Sequence, residues 1–293
     1  MSNYTKGVLS ILVSAFGFAL MNLFIPLAGA LPTIQKSFFR NLVALAIALI
    51  VLWRTNRKQP VREFQKGEPI AWKWLFVRSI LGTIGIWCNF YAIDHLFISD
   101  ASVLNKISPF ATLVFSYLFL KEPMKRGHIV ALFFAFVGVI LVVKPTLANT
   151  DLFPYLMGII GGLSAGAAYT TVRKLNNENV TPAVTIAFFS LFSCIASLPQ
   201  LLLSYEPMSL RSFVMLVLVG GMAAIGQFGI TMAYKFAPAA QISIFDYTMI
   251  LFTGVLGFIF LNQVPDYVSI IGYCVIIFAG WQSFKVNQHK MSN

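Results

Sequence analysis

Charge is scarce in this chain, and acid scarcer still. Of its 293 residues only 10 are Asp or Glu and 11% are charged, where a soluble globular chain carries about 25%. That deficit excludes a soluble domain. Histidine and cysteine are equally thin, at three each. Cys88, Cys194 and Cys274 all fall in apolar runs and read as small packing residues rather than ligands or a disulfide framework. There is no H-E-x-x-H, no C-x-x-C and no Walker loop, so zinc chemistry and ATP-driven pumping find no support. Strict apolar–polar alternation is missing too, which argues against an outer-membrane barrel. No cofactor, no metal and no catalytic residue is expected.

What is abundant is apolar sequence: 58% hydrophobic residues and a mean hydropathy of +0.79. Runs long enough to cross about 30 Å of hydrocarbon recur from end to end. Ten spans are predicted, at 7–28, 33–53, 72–93, 97–120, 128–144, 155–172, 182–203, 212–234, 239–261 and 267–284. Loops are short. The fold class expected is an all-α polytopic membrane protein embedded in the lipid bilayer. Lys6 followed by an apolar run and Ala28-Gly29-Ala30 imitates a signal peptide. Residues 10–22 nevertheless have a counterpart near 160–172, which predicts a retained helix.

The net charge of +11 would suggest nucleic acid in a soluble protein, but its placement says otherwise. With the N-terminus inside, one face collects Arg54, Arg57, Lys58, Arg62, Lys66, Lys121, Lys125, Arg126, Arg173, Lys174 and Lys235. The other face holds Lys36, Lys144 and Arg211 against Asp94, Asp100, Asp151, Glu206 and Asp266. This is the positive-inside distribution, and it places both termini in the cytoplasm. Nucleic acid is not an expected partner.

The chain also repeats itself. Phe38-Phe39-Arg40-Asn41-Leu42 lines up with Phe188-Phe189-Ser190-Leu191-Phe192, 150 residues on. Ala92, Asn105 and Leu120 line up with Ala233, Asp246 and Leu261, 141 residues on. The offset falls because the first copy has a basic loop at 54–73 that the second trims. Two repeats are expected, at 6–146 and 152–285. Five spans in each gives the copies opposite polarity, a construction common in secondary transporters, with the substrate site near the bilayer midplane.

Ionisable groups deep in spans mark candidate sites, since each costs at least about 2.5–3.5 kcal/mol at the bilayer centre. Lys106 lies about nine residues into the fourth span, roughly 14 Å down. Asp246 lies about seven residues into the ninth span from the other side, aligned with Asn105. Lys106 and Asp246 are expected to border the substrate site as a charge pair; a fixed structural pair joining the repeats is the competing reading. Arg40 and Arg78 complete the four deep ionisable groups, and Arg78 is expected to join the substrate site; the competing reading is that each snorkels to an interface.

Helical spacing puts Arg78, Gly82, Gly85 and Asn89 on one face of the third span. It does the same for Ala224, Gln227, Thr231 and Lys235 on the eighth, and for Ser243, Asp246, Thr253 and Gly257 on the ninth. Small residues on such a face also serve close packing, whereas the amides Asn89, Asn105 and Gln227 favour a lining role. Tyr91, Tyr169 and Tyr247 are aromatic candidates for the same wall. Pro109 removes a donor within the fourth span, a hinge or a packing distortion. Gly162-Leu163-Ser164-Ala165-Gly166 matches the G-x-S-x-G nucleophile pattern, but inside a span and without a histidine at matching depth. It reads as a packing face.

Five segments carry a family resemblance: Phe39-Arg40, the Ala-rich start of the fourth span, and Leu118-Phe119-Leu120-Lys121-Glu122-Pro123. Val137-Gly138-Val139 and Tyr169-Thr170-Thr171-Val172-Arg173-Lys174 complete them. In this order and duplication, over residues 6–284, the chain resembles the drug/metabolite transporter superfamily in its ten-helix EamA branch. It departs from that pattern at Leu261-Asn262-Gln263, where Gly-Glu is usual. The resemblance implies a central cavity lined by spans 1, 3, 4, 6, 8 and 9. It also implies peripheral spans 5 and 10, where homodimer contacts are sometimes placed. A secondary transporter of a small organic metabolite (amino acid-like, nucleoside- or vitamin-like, or amphiphilic) is expected, proton-coupled or exchanging, in a prokaryotic plasma membrane. The reading from another class is a membrane scaffold or lipid-handling protein whose polar stripes are only packing seams.

Overall fold

The computed structural model describes residues 1–58, 69–96, 98–123, 125–145, 151–261 and 264–288, and no strand occurs among them. The middle of the basic loop predicted at 54–73 and the pair Asn262-Gln263 lie outside the described residues. Backbone N–H and C=O groups have no water to bond in hydrocarbon, so each apolar run closes its bonds within a helix. The helices are α1 (Asn3–Leu27), α2 (Thr33–Lys58), α3 (Pro69–His95), α4 (Ile98–Asn105), α5 (Ser108–Leu120) and α6 (Arg126–Val143). They continue as α7 (Phe153–Asn177), α8 (Pro182–Leu203), α9 (Leu210–Phe236), α10 (Ala239–Ile242), α11 (Thr248–Leu261) and α12 (Tyr267–Gln288). Ten helical stretches are long and apolar enough to cross a membrane, at the ten predicted places. Serine caps open two of them: Ser2 Oγ accepts from Thr5 N–H at 3.1 Å, and Ser209 Oγ from Ser212 N–H at 3.1 Å.

Two spans are not the continuous helices that hydropathy predicts. The fourth is interrupted at Lys106-Ile107, whose N–H groups bond three residues back, to Val103 O and Leu104 O. Helix resumes at Ser108 with Pro109 in its first turn, where a missing N–H does no harm. The ninth span passes from α10 through a 3-10 turn at Ser243–Tyr247 into α11. Pro109 announces the first break. Nothing between Ala239 and Thr253 is Gly or Pro, so the second has no local signal.

Helix packing follows a pattern. α1 packs along α9 and α3 along α7; α5 meets α7 and α11 meets α1; α2 meets α9 and α8 meets α3. α2 with α8 and α6 with α12 complete it. Exchanging the first five spans with the last five, in order, turns each of these contacts into another of the set. The contacts that break the rule include one between long spans. α7 also packs on α9, while α1 and α3, their counterparts under the exchange, have no comparable contact.

Candidate substrate-binding site

The two broken spans bring the deepest charges together. Lys106, at the break in the fourth span, puts its Nζ 3.0 Å from Asp246 Oδ2 in the 3-10 turn of the ninth. Their side chains are only 4% and 7% exposed, so the pair is shielded from bulk water. The same ammonium lies 3.4 Å from Asp246 O and 3.4 Å from Met249 Sδ. A backbone bond doubles the link: the Tyr247 hydroxyl donates to Lys106 O at 3.0 Å, and Tyr247 is wholly buried. Interrupted backbone leaves carbonyls off the helical ladder, and here one of them is used to lock the two breaks to each other.

Beside this pair the side chains open out. Asn105 is half-buried and makes no hydrogen bond among the described residues; the same holds for Asn89 on α3. Tyr169 on α7 is half-buried, its ring centroid 5.9 Å from that of Tyr234, and lies within electrostatic reach of Asp246, Arg78 and Arg40. Arg78 and Gln227 form a second cluster, Arg78 Nη2 donating to Gln227 Oε1 at 3.2 Å. Tyr91 is placed apart from both: it stacks on His95 at 4.0 Å between centroids and meets the Phe153 ring edge-on.

Some expectations need correction. Arg40 and Arg78 do not snorkel, for they are 5% and 3% exposed. Arg40 turns inward to Met21 Sδ and Asn41 Oδ1. The ninth-span stripe fails at Thr253, which is exposed and bonds back to Met249 O. Gly257, further along the same stripe, is buried. On the eighth span Ala224, Gln227 and Thr231 are buried as the stripe predicts, and Lys235 is exposed.

The G-x-S-x-G segment packs. A Cβ on Gly162 would sit 2.5 Å from Leu104 O, and one on Gly166 would sit 2.4 Å from Ala111 Cβ and 2.7 Å from Ser108 O. Thr112 Oγ1 donates to Gly166 O at 3.3 Å across the same contact. These glycines let α7 press against the broken fourth span. Gly166→Val is therefore expected to lower thermal stability sharply, by the 1–3 kcal/mol or so typical of overpacking. Ser164→Ala, at a half-buried position, should leave stability and transport unchanged. Melting curves of the purified variants, with flux measured alongside, decide between packing face and nucleophile.

One cluster escaped the sequence reading. At the far end of the bundle Glu122, just past α5, pairs with Arg173 near the end of α7, Oε1 to Nε at 2.7 Å. Its Oε2 accepts from Ala239 N–H at 3.0 Å, at the start of α10. Arg173 Nη1 donates to Tyr234 O, 2.8 Å away, in the last turn of α9. Asn176 Nδ2 reaches Thr231 O at 2.9 Å. Four spans are thus tied at one end by one buried carboxylate and one guanidinium. Both residues sit in segments that carry the family resemblance. The available signal was opposite charge at two span ends on the same predicted side.

Two features stand apart. An apolar groove between α1, α2 and α9, lined by Leu9, Val13, Ile47, Val51, Met222 and Phe228, has no ionisable residue and touches neither cluster. At another loop, Asp266 Oδ1 caps α12 through Ser269 N–H at 2.9 Å, and Oδ2 faces the Lys144 ammonium. The lysine first, then the cap, hold the Asp266 carboxyl down to about 2. It stays ionised through the neutral range; any stabilisation it gives is lost only as pH falls below the ordinary carboxylate range towards that value.

The EamA-like transporter family matches residues 5–144 and 152–281. The pseudopaline exporter CntI of Pseudomonas aeruginosa is 29% identical over 276 residues, covering 94% of this chain and 94% of its own. An uncharacterized transporter of Helicobacter pylori is 27% identical over 94% of this chain and 93% of its own. Human solute carrier family 35 member G1 is 23% identical, covering 92% of this chain and 76% of its own. A solved crystal structure, described simply as that of a protein, superimposes with a TM-score of 0.81. It covers 97% of this chain and 98% of its own at 14% identity, which shows a shared fold.

Proposed function

The chain belongs to the EamA-like transporter family, and on that premise we propose that it is a secondary carrier of a small organic solute working by alternating access. It sits in a prokaryotic plasma membrane with both termini cytoplasmic, and residues 6–146 and 152–285 form two repeats of opposite orientation. The observation that carries this reading is the Lys106–Asp246 pair, placed at the breaks of two discontinuous spans. Such breaks are where carriers expose backbone and charge to a solute near the midplane.

The uneven packing supports a two-state cycle. With the N-terminus inside, the ends of α5, α7 and α9 face the cytoplasm, so the Glu122–Arg173 cluster closes that side. No comparable contact joins α1 and α3 on the outer side among the described residues. This is the arrangement of an outward-facing state. The inward-facing one follows by exchanging the two repeats' conformations: α1 would close on α3 while α7 leaves α9. Among the relatives, the exporter of pseudopaline favours a small organic cargo and outward net movement.

Energy comes from exchange or from the proton gradient. Asp266, ionised throughout the neutral range and exposed, is unsuited to carrying protons across. The test begins with metabolite comparison of cells lacking and overproducing the protein. A solute that accumulates on deletion is then loaded into proteoliposomes for counterflow with and without an imposed pH gradient. Flux that needs solute on the trans side and ignores pH identifies an exchanger; flux driven by the gradient identifies proton coupling. Identical metabolite pools together with impermeable proteoliposomes would reject the carrier.

A further inference from the structure

The interior charges do not balance. The buried lysine and arginines among the described residues are Arg40, Arg78 and Lys106; the buried acids are Asp246 and Glu122. Asp246 is taken by Lys106 and Glu122 by Arg173, which leaves the two arginines without any carboxylate in reach among the described residues. They sense each other electrostatically, and both sense Tyr169. Arg78 is the clearer case. At 3% exposure its Nε and Nη1 have no hydrogen-bond partner among the described residues. Nη2 has only the Gln227 amide, and the guanidinium lies 4.2 Å over the Phe189 ring.

A cation in that position is costly unless something answers it. A membrane protein normally gives a buried charge a partner or a wet cavity. A cation–π contact and one amide do not replace the hydration of a guanidinium with five donors. The sequence even makes room for it: a Cβ on Gly82 would stand 2.1 Å from Arg78 Nη1. Burial and unanswered N–H groups on a planar guanidinium are what a carboxylate or phosphate group, rich in acceptor lone pairs, recognises. The half-buried Tyr169 ring supplies apolar wall for the carbon skeleton.

Resting on the carrier reading, we propose that Arg78, supported by Arg40, is the anion-binding subsite of the substrate cavity and that the transported solute is an organic acid bearing at least one carboxylate. The Lys106–Asp246 pair then serves a neighbouring part of the solute, and Arg78 supplies the countercharge that holds its acidic end. A solute of this class lowers the cost of the empty interior as it binds.

Three four-carbon probes of like size separate the charge classes: succinate, succinamide and putrescine, each at matched ionic strength with chloride as the balancing ion. Melting of the purified protein in neutral-lipid nanodiscs is the readout. Succinate should raise the midpoint by a few degrees, as a ligand well above its dissociation constant does, with no shift from the other two. Arg78→Gln should abolish that shift, and Arg78→Lys should weaken it by losing the fork. In the absence of any probe Arg78→Gln should melt at the same temperature as the parent or higher, because an unanswered buried charge has been removed. A purely structural arginine would behave the opposite way. Stabilisation by putrescine, an undiminished succinate shift in Arg78→Gln, or no shift from succinate would overturn the subsite. So would a shift produced only by adding phosphatidylglycerol, which would assign the arginines to a lipid headgroup. Each of those results leaves the carrier itself standing, since solute flux in proteoliposomes is measured independently; loss of all flux with the succinate shift intact would count against the carrier instead.

Discussion

Asp246→Asn and Lys106→Gln should each bring transport to background, and each should destabilise the protein in the membrane. The partner left behind is a charge with 4% or 7% exposure and nothing opposite it, a situation that costs about 3–5 kcal/mol in buried pairs. Loss of flux in a weakened protein proves little by itself, so the informative variant is the double one. Lys106→Gln with Asp246→Asn removes both charges and keeps the shape. Buried pairs are often no better for stability than neutral residues of the same volume, so melting should return close to the parent. Tyr247 still bonds to Lys106 O through the backbone, which holds the two breaks in register whatever the side chain at 106. If the pair only joins the repeats, the double variant transports. If it meets the solute, transport stays at background while stability recovers. Melting curves and counterflow on the same preparations give the answer.

The fold was legible because the physics of a bilayer is simple. A long apolar run in lipid has one way to satisfy its backbone, and ten such runs give ten helical spans among the described residues, two of them interrupted. The Lys106–Asp246 pair was legible for the same reason, since charge at that depth must be answered. The finer geometry was not. Pro109 marks the break in the fourth span, but the 3-10 turn at Ser243–Tyr247 arises from packing against the other half, with no Gly or Pro to announce it. Thr253 lies exposed, off the face that its spacing from Asp246 assigns it. For Arg40 and Arg78 the sequence leaves both a lining role and snorkelling open, and only the tertiary arrangement turns them inward. Tyr91 stacks on His95, its i,i+4 neighbour on α3, rather than on the face of Arg78 and Asn89. Glu122 and Arg173 sit at span ends, where charge is ordinary, and 51 residues apart in sequence, so nothing local joins them.

That end cluster makes the second large effect. Glu122→Gln and Arg173→Gln should each open the closed side of the bundle. Glu122 answers a guanidinium and a backbone N–H at once, at 2.7 and 3.0 Å and with 10% exposure, so its neutralisation weakens two bonds to a charged group. Such bonds contribute about 1.5–3 kcal/mol each, and 1.4 kcal/mol is tenfold in an equilibrium, so losing one shifts closed to open roughly ten- to hundredfold. The reporter is Thr231→Cys in a chain freed of Cys88, Cys194 and Cys274. Thr231 is 1% exposed behind the gate, its hydroxyl has no partner, and its carbonyl still accepts from Asn176. Maleimide added from the cytoplasmic side should label it at least about tenfold faster in either variant, in line with that shift. The charge-reversed pair, Glu122→Arg with Arg173→Glu, should restore closure only in part, because Ala239 N–H would face a cation where it now meets a carboxylate. Labelling that stays slow in both single variants, with flux unimpaired, would show that these side chains brace the bundle without gating it. The missing α1–α3 contact would then need another explanation than an outward-facing state.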